Sequence, residues 1–193
     1  FYANLYDIKQ TPTYSMRTLA FHEAIPGHHL QVALNLENED LTLYRRFGYG
    51  TSAFSEGWAL YSERLAVEAG LAEDPYDELG VLQSELFRAV RLVVDTGLHF
   101  KRWTREEAMA YMKDITGMSD TEVRVEIERY IVWPGQACSY KVGMLKILEL
   151  REKAKEELGD NFDIKDFHSI VLEQGQPPLF IVEELVDKMI AEK

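Results

Sequence analysis

Apolar residues recur along this chain at intervals of three and four, the spacing of helices that bury one face, and nowhere in a run of alternating positions. Residues 1–13, with Pro12, read as an extended or irregular lead-in. From Tyr14 the positions Met16, Leu19, Ala20 and Glu23 fall at helical spacing, with Ser15 as the cap. Pro26 removes a backbone donor and pushes the chain off the preceding turn. The helix should therefore break or bulge at Ile25-Pro26-Gly27 and resume over residues 28–34. Asn38-Glu39-Asp40 reads as a turn, residues 41–47 as a short helix and residues 48–52, including Tyr49, as a loop.

Residues 54–69 form an amphipathic pattern that Gly70 should stop. A longer one starts at Pro75, a good first helical residue, and runs to about Arg102, with Leu79, Leu82, Leu86, Val90, Val93, Val94 and Leu98 as its apolar positions. Thr104 with Glu107 and Ser119 with Glu122 are capping boxes, and Gly117 should end the helix between them. Pro134-Gly135 interrupts the second of these helices. Residues 136–158, 163–174 and 179–192 complete a chain that reads as all-α, with at most a short strand near the start.

The length of 193 residues fits one domain with a sizeable core. A formal net charge of -12, with no basic stripe or cluster, argues against a nucleic-acid partner and reads most simply as a solvated acidic surface. The single cysteine, Cys138, excludes an internal disulfide and a cysteine-based zinc site, and is most simply a small core residue. No apolar run reaches the roughly 18 residues that a membrane span needs, and any targeting signal is expected upstream of Phe1.

Chemistry concentrates in one stretch, Phe21-His22-Glu23-Ala24-Ile25-Pro26-Gly27-His28-His29, which holds three of the five histidines. Zinc hydrolases pair two histidines as ligands with a glutamate that takes a proton from water, usually as H-E-x-x-H on one helix. In an unbroken helix His22 and His28 would stand about 9 Å apart along the axis and roughly 240° apart around it. They could not share one zinc ion. Looping two residues out at Pro26-Gly27 turns i+6 into an effective i+4 and restores a common face. His29 faces the same way as His22 in an ideal helix, yet sits about 10 Å away, and is the weaker candidate.

A third, carboxylate ligand should come from another helix. Glu56, between Phe54 and Trp58, and Glu63 are the candidates. A carboxylate among core residues needs a partner, which a metal would supply, and Glu63 could orient a ligating imidazole instead.

At these residues the sequence resembles a large bacterial family of metallopeptidase-like proteins catalogued as a domain of unknown function. That family carries His-Glu-x-x-Pro-Gly-His, Glu-Gly-Trp-Ala and Pro-Gly-Gln, found here at 22–28, 56–59 and 134–136. The resemblance covers essentially the whole chain and implies the C-terminal catalytic half of a longer protein, so that an upstream domain is an expected partner. More distantly the chain is similar to the helical gluzincins, a group of carboxypeptidases and oligopeptidases. Gly27-His28 matches their His-Glu-x-Gly-His after a two-residue insertion.

That likeness implies zinc held by His22, His28 and Glu56, with Glu23 as general base. Val90-Arg91-Leu92-Val93-Val94-Asp95 is similar to a carboxypeptidase signature, and Arg129-Tyr130 to a pair whose tyrosine steadies the tetrahedral intermediate.

Tyr130 is thus the expected oxyanion donor, with Tyr140 second. Arg91 is a candidate for binding a substrate carboxylate, against an equally plain ion pair with Asp95 at i+4. His99 shares a helix with Arg91 and could face the cleft or be structural; His168 receives no role. The leading expectation is a zinc-dependent hydrolase of peptides or peptide-like amides. Its rivals are a non-catalytic helical binding module and a zinc hydrolase of non-peptide amides or esters.

Overall fold

The computed structural model describes residues 12–48 and 50–193. The expected strand near the start, most of the lead-in and Tyr49 of the 48–52 loop lie outside these. The described residues form ten α-helices and no strand. In order they are α1 (Met16–Glu23), α2 (His28–Glu37), α3 (Leu43–Phe47), α4 (Ser52–Glu68), α5 (Pro75–His99), α6 (Arg105–Thr116), α7 (Asp120–Val132), α8 (Gln136–Leu158), α9 (Ile164–Leu172) and α10 (Leu179–Glu192). Short 3-10 turns occupy Thr13–Ser15 and Gly159–Asn161. None of these helices is long and apolar enough to cross a membrane.

Local chemistry sets most boundaries. Both capping boxes form, with Thr104 and Ser119 accepting from the N3 amides while Glu107 and Glu122 reach back. Gly117 closes α6 in the left-handed conformation. Asp74 caps α5 ahead of Pro75. Ser15 departs from expectation: it precedes α1, but its hydroxyl donates to the Pro12 carbonyl and caps nothing.

The centre of the molecule is α4 packed on α8. A Cβ on Gly57 would fall 2.5 Å from the Cα of Gly143, so the two backbones meet where only hydrogen side chains fit. Around that crossing Phe54, Trp58, Tyr61, Met144 and Ile147 bury almost completely, with α9 and α10 covering the far side through Phe167, Val182 and Val186. A second core joins α5, α6, α7 and the start of α8 through Val90, Val94, Met112, Ile127 and Tyr130.

The expected apolar face of α5 holds at Val90 and Val94, which are buried, and at Leu98, which packs on the second core, but needs correction elsewhere. Leu79, Leu82, Leu86 and Val93 are exposed, whereas Gly80, Val81, Arg91 and Asp95 are buried. The helix turns inward a stripe that is partly small and partly polar, because α1 packs against Gly80 and the start of α8 needs Arg91 and Asp95.

Candidate metal centre

The first motif folds as a joint between α1 and α2. The end of α1 is closed by the Ala24 amide on the Ala20 carbonyl, and α2 starts at His28 with Gly27 as its cap. The Leu30 amide reaches back to the Ala24 carbonyl at 3.3 Å. Gly27 lies directly on the end of α1: a Cβ there would fall 1.8 Å from the His22 carbonyl oxygen. Close approach, and not an unusual φ, is what demands glycine at this position. Across the joint the Trp58 indole donates to the Pro26 carbonyl at 2.9 Å, and the Ser62 hydroxyl donates to the Phe21 carbonyl at 3.2 Å. Thus α4, which carries Glu56 and Glu63, also holds the joint in place.

That joint brings His22, His28 and Glu56 together. One ligand atom from each lies within 4.8 Å of the others, a grouping that could hold a metal ion. Glu56 Oε2 is 3.5 Å from His22 Nε2 and 3.2 Å from His28 Nε2. His29 is exposed and outside the group. Behind His22, the buried Glu63 carboxylate accepts from Nδ1–H at 2.6 Å. A protonated His22 donates from both nitrogens, Nδ1–H to Glu63 and Nε2–H toward Glu56. With Nδ1–H kept on Glu63, loss of the Nε2 proton frees the lone pair a metal would use.

Burial on its own would raise the Glu56 carboxyl, but hydrogen bonds from His22 and His28 hold it well below the usual carboxylate range. Burial would likewise lower the His22 imidazole; Glu56 and Glu63 outweigh it and raise that group above its ordinary value. Glu23, the last residue of α1 and next in sequence to His22, is exposed.

The tyrosine packed against the cluster is Tyr140. Its ring stacks on His22 with centroids 6.3 Å apart and planes 23° from parallel. Tyr130 lies in the second core, its hydroxyl donating to Glu126 at 2.6 Å, and burial pushes its phenol upward. Arg91 joins the two tyrosines, its guanidinium 4.2 Å from the Tyr140 centroid and 5.4 Å from that of Tyr130.

The i+4 ion pair with Asp95 does not form. Arg91 donates instead to the Gln136 side-chain oxygen, which Arg129 also uses, while the Gln136 amide donates to the Tyr140 hydroxyl at 3.3 Å. Asp95 accepts from the Gly135 amide at the start of α8. His99 binds the Tyr130 backbone carbonyl, and His168 pairs with the Tyr61 hydroxyl inside the main core. Cys138 is half-buried near Asp95, and burial pushes its thiol up to about 11.

Sequence reasoning left out Arg88 and Gln136. Arg88 lies three residues before Arg91 on the same face of α5, with its guanidinium 5.6 Å from the Tyr140 centroid. Gln136 stood in a quoted motif without a role, and its partners show one: it ties α5, α7 and Tyr140 together.

The profile of a bacterial protein family of unknown function, DUF885, matches residues 1–186. The chain belongs to that family. No curated protein matches it. Among solved structures it is similar to a protein from Colwellia psychrerythraea described as a candidate lipoprotein, with 54% identity and a TM-score of 0.94 over 98% of this chain. A lipoprotein candidate of unknown function from Shewanella oneidensis is similar at 31% identity, with a TM-score of 0.84 over 92% of this chain. The chain spans about a third of the length of either, 32% in both cases.

Proposed function

We propose that this chain carries the metal site of a zinc-dependent hydrolase acting on peptide or related amide bonds, with the helical arrangement of the gluzincins. The observation that carries this reading is the donor set: two imidazole Nε2 atoms facing one carboxylate oxygen at 3.2 and 3.5 Å. Donors about 2.0–2.1 Å from a tetrahedral zinc stand about 3.3–3.4 Å apart. With Nδ1–H donated to Glu63, His22 can exchange its Nε2 proton for a metal ion facing the same Glu56 oxygen. A cation between the imidazole nitrogens and that carboxylate, proton or metal, is what the arrangement requires.

His22, His28 and Glu56 would hold the metal, and Glu63 would keep the His22 ring in one orientation and tautomer. When bound, zinc supplies Lewis acidity and leaves a position open to water or a carbonyl oxygen. Glu23, exposed at the end of α1, would take the proton from the attacking water and pass it to the departing amine. Tyr140 is better placed than Tyr130 to donate to the developing oxyanion. It stacks on His22, whereas the Tyr130 hydroxyl is already held by Glu126. Arg91 then acts by positioning Tyr140 through Gln136.

The test is hydrolysis of a blocked peptide by metal-stripped chain before and after one equivalent of zinc. Activity should appear with zinc and fall about 10²–10⁴-fold in Glu23→Gln, while zinc content stays unchanged. A Glu23→Gln variant as active as the parent would end the proposal.

A further inference from the structure

A cavity of about 280 Å³ opens beside the cluster, lined among others by His22, Glu63, Thr18, Ser84, Phe87 and Arg88. Its one arginine is under-partnered. Arg88 donates to the Ser84 hydroxyl at 2.8 Å, but its Nε is buried without a hydrogen-bond partner. No carboxylate pairs with it among the described residues. Glu85, at i-3, is the obvious candidate, yet pairs with Lys141 on α8. Glu122, another acid on the cavity wall, is engaged in the capping box of α7, and Glu63 holds His22 through Oε1 while its other oxygen, buried, meets no guanidinium. Arg91, one turn on, has no carboxylate partner either, and its Nε is also orphaned. In a chain of net charge -12, two neighbouring guanidiniums against one tyrosine ring, Arg91 buried and Arg88 half-buried, are thus left without acids. A cation partly withdrawn from water is stabilised by a paired anion, so a ligand that brings one gains at Arg88.

We infer that Arg88 is a specificity residue, and that this cavity takes a ligand bearing a carboxylate, clamped by the two-pronged guanidinium beside the cluster. Resting on the hydrolase reading, this makes the substrate a peptide anchored by an acid, with its amide bond lying toward His22. The acid is either a terminal carboxylate or an acidic side chain, and the same guanidinium reads both.

Calorimetric titration of the metal-free chain separates the possibilities with three ligands: N-acetyl-Ala-Ala as the free acid, its terminal amide, and N-acetyl-Ala-Glu amide. At least one of the two acids should bind about tenfold or more tightly than the neutral amide. Preference for the free acid identifies a terminal anchor, and preference for the glutamyl amide a side-chain anchor. Arg88→Gln should abolish the preference. If that variant does not fold, Arg88→Lys, which keeps the charge and loses the fork, should lower binding of the acids severalfold and leave the neutral amide unchanged. Equal binding of all three ligands, binding of none, or a preference that survives substitution overturns the inference. Because no metal is present, failure of the hydrolase reading cannot produce or hide these results.

Discussion

Two polar clusters meet at the Tyr140 ring, and they are unbalanced in opposite senses. Around His22 the acids are in excess: Glu56 and Glu63 both converge on one imidazole, and Glu56 reaches a second at His28. Around Gln136 the cations lead: Arg91 and Arg129 share one neutral amide oxygen, and Asp95 faces the Gly135 amide and not a guanidinium. Although Arg129 reaches Glu126 at 3.8 Å, Arg91 has no acid among the described residues. Each imbalance costs free energy in a buried setting unless an outside charge completes it. On the proposed reading a metal cation completes the first and a substrate anion the second. Their adjacency at one ring suits a site that joins a metal to an anionic substrate.

The largest effect should come from breaking the joint. Gly27→Ala places a methyl group 1.8 Å from the His22 carbonyl oxygen, so α1 and α2 must separate. A stability loss of about 3 kcal/mol by chemical denaturation is expected, with zinc binding lost as well. A fully stable variant that retains metal would show that the joint does not set the cluster.

Glu63→Ala removes the acceptor behind His22 without touching a proposed ligand. Zinc affinity should fall about 10–100-fold in a chelator competition. Unchanged affinity would reduce Glu63 to a core acid. In the cation-rich cluster, Gln136→Ala strips Arg91 and Arg129 of a shared acceptor, and should cost about 2 kcal/mol of stability while leaving zinc affinity intact. Loss of metal in that variant would mean the two clusters are one unit. Trp58→Phe keeps an aromatic ring but removes the indole hydrogen bond to Pro26 and part of the buried ring volume. About 2 kcal/mol is expected, checked by the same denaturation series.

His168 sharpens the contrast as a half-buried imidazole with no carboxylate hydrogen-bonded to it among the described residues. Burial and the Arg151 guanidinium outweigh Glu68 and push it down to about 4, the reverse of His22. A group depressed on folding takes up its proton more readily when unfolded, so stability present above pH 6.5 is lost as pH falls toward 4. Discounted for the partial exposure of the ring, the loss is about 1 kcal/mol. It should disappear in His168→Gln when denaturation midpoints at pH 7 and pH 5 are compared.

Much of this was legible along the chain where the signal is local. Capping boxes, Pro75, Gly117 and the Pro26-Gly27 break each act within four residues, and each marks an observed helix end. The grouping of His22, His28 and Glu56 was legible because a bulge is itself a local event and Glu56 stands in a recognisable motif. The buried face of α5 was legible only in part. Val90 and Val94 go inward as their spacing implies. Leu79, Leu82 and Leu86 point outward, and polar residues buried on the inner face are chosen by partners 40 or more positions away, such as Gly135 and Gln136. Arg88 escaped for the same reason: Glu85 at i-3 suggests a helix-surface pair, and only the arrival of Lys141 from α8 removes it.

The central claim is that His22, His28 and Glu56 share one metal ion. An anomalous-scattering map at the zinc edge, from crystals of the zinc-loaded chain, addresses it directly. The account predicts one peak about 2.0–2.2 Å from His22 Nε2, His28 Nε2 and a Glu56 oxygen. No peak there, or zinc bound instead at His29, His99 or His168, would contradict it.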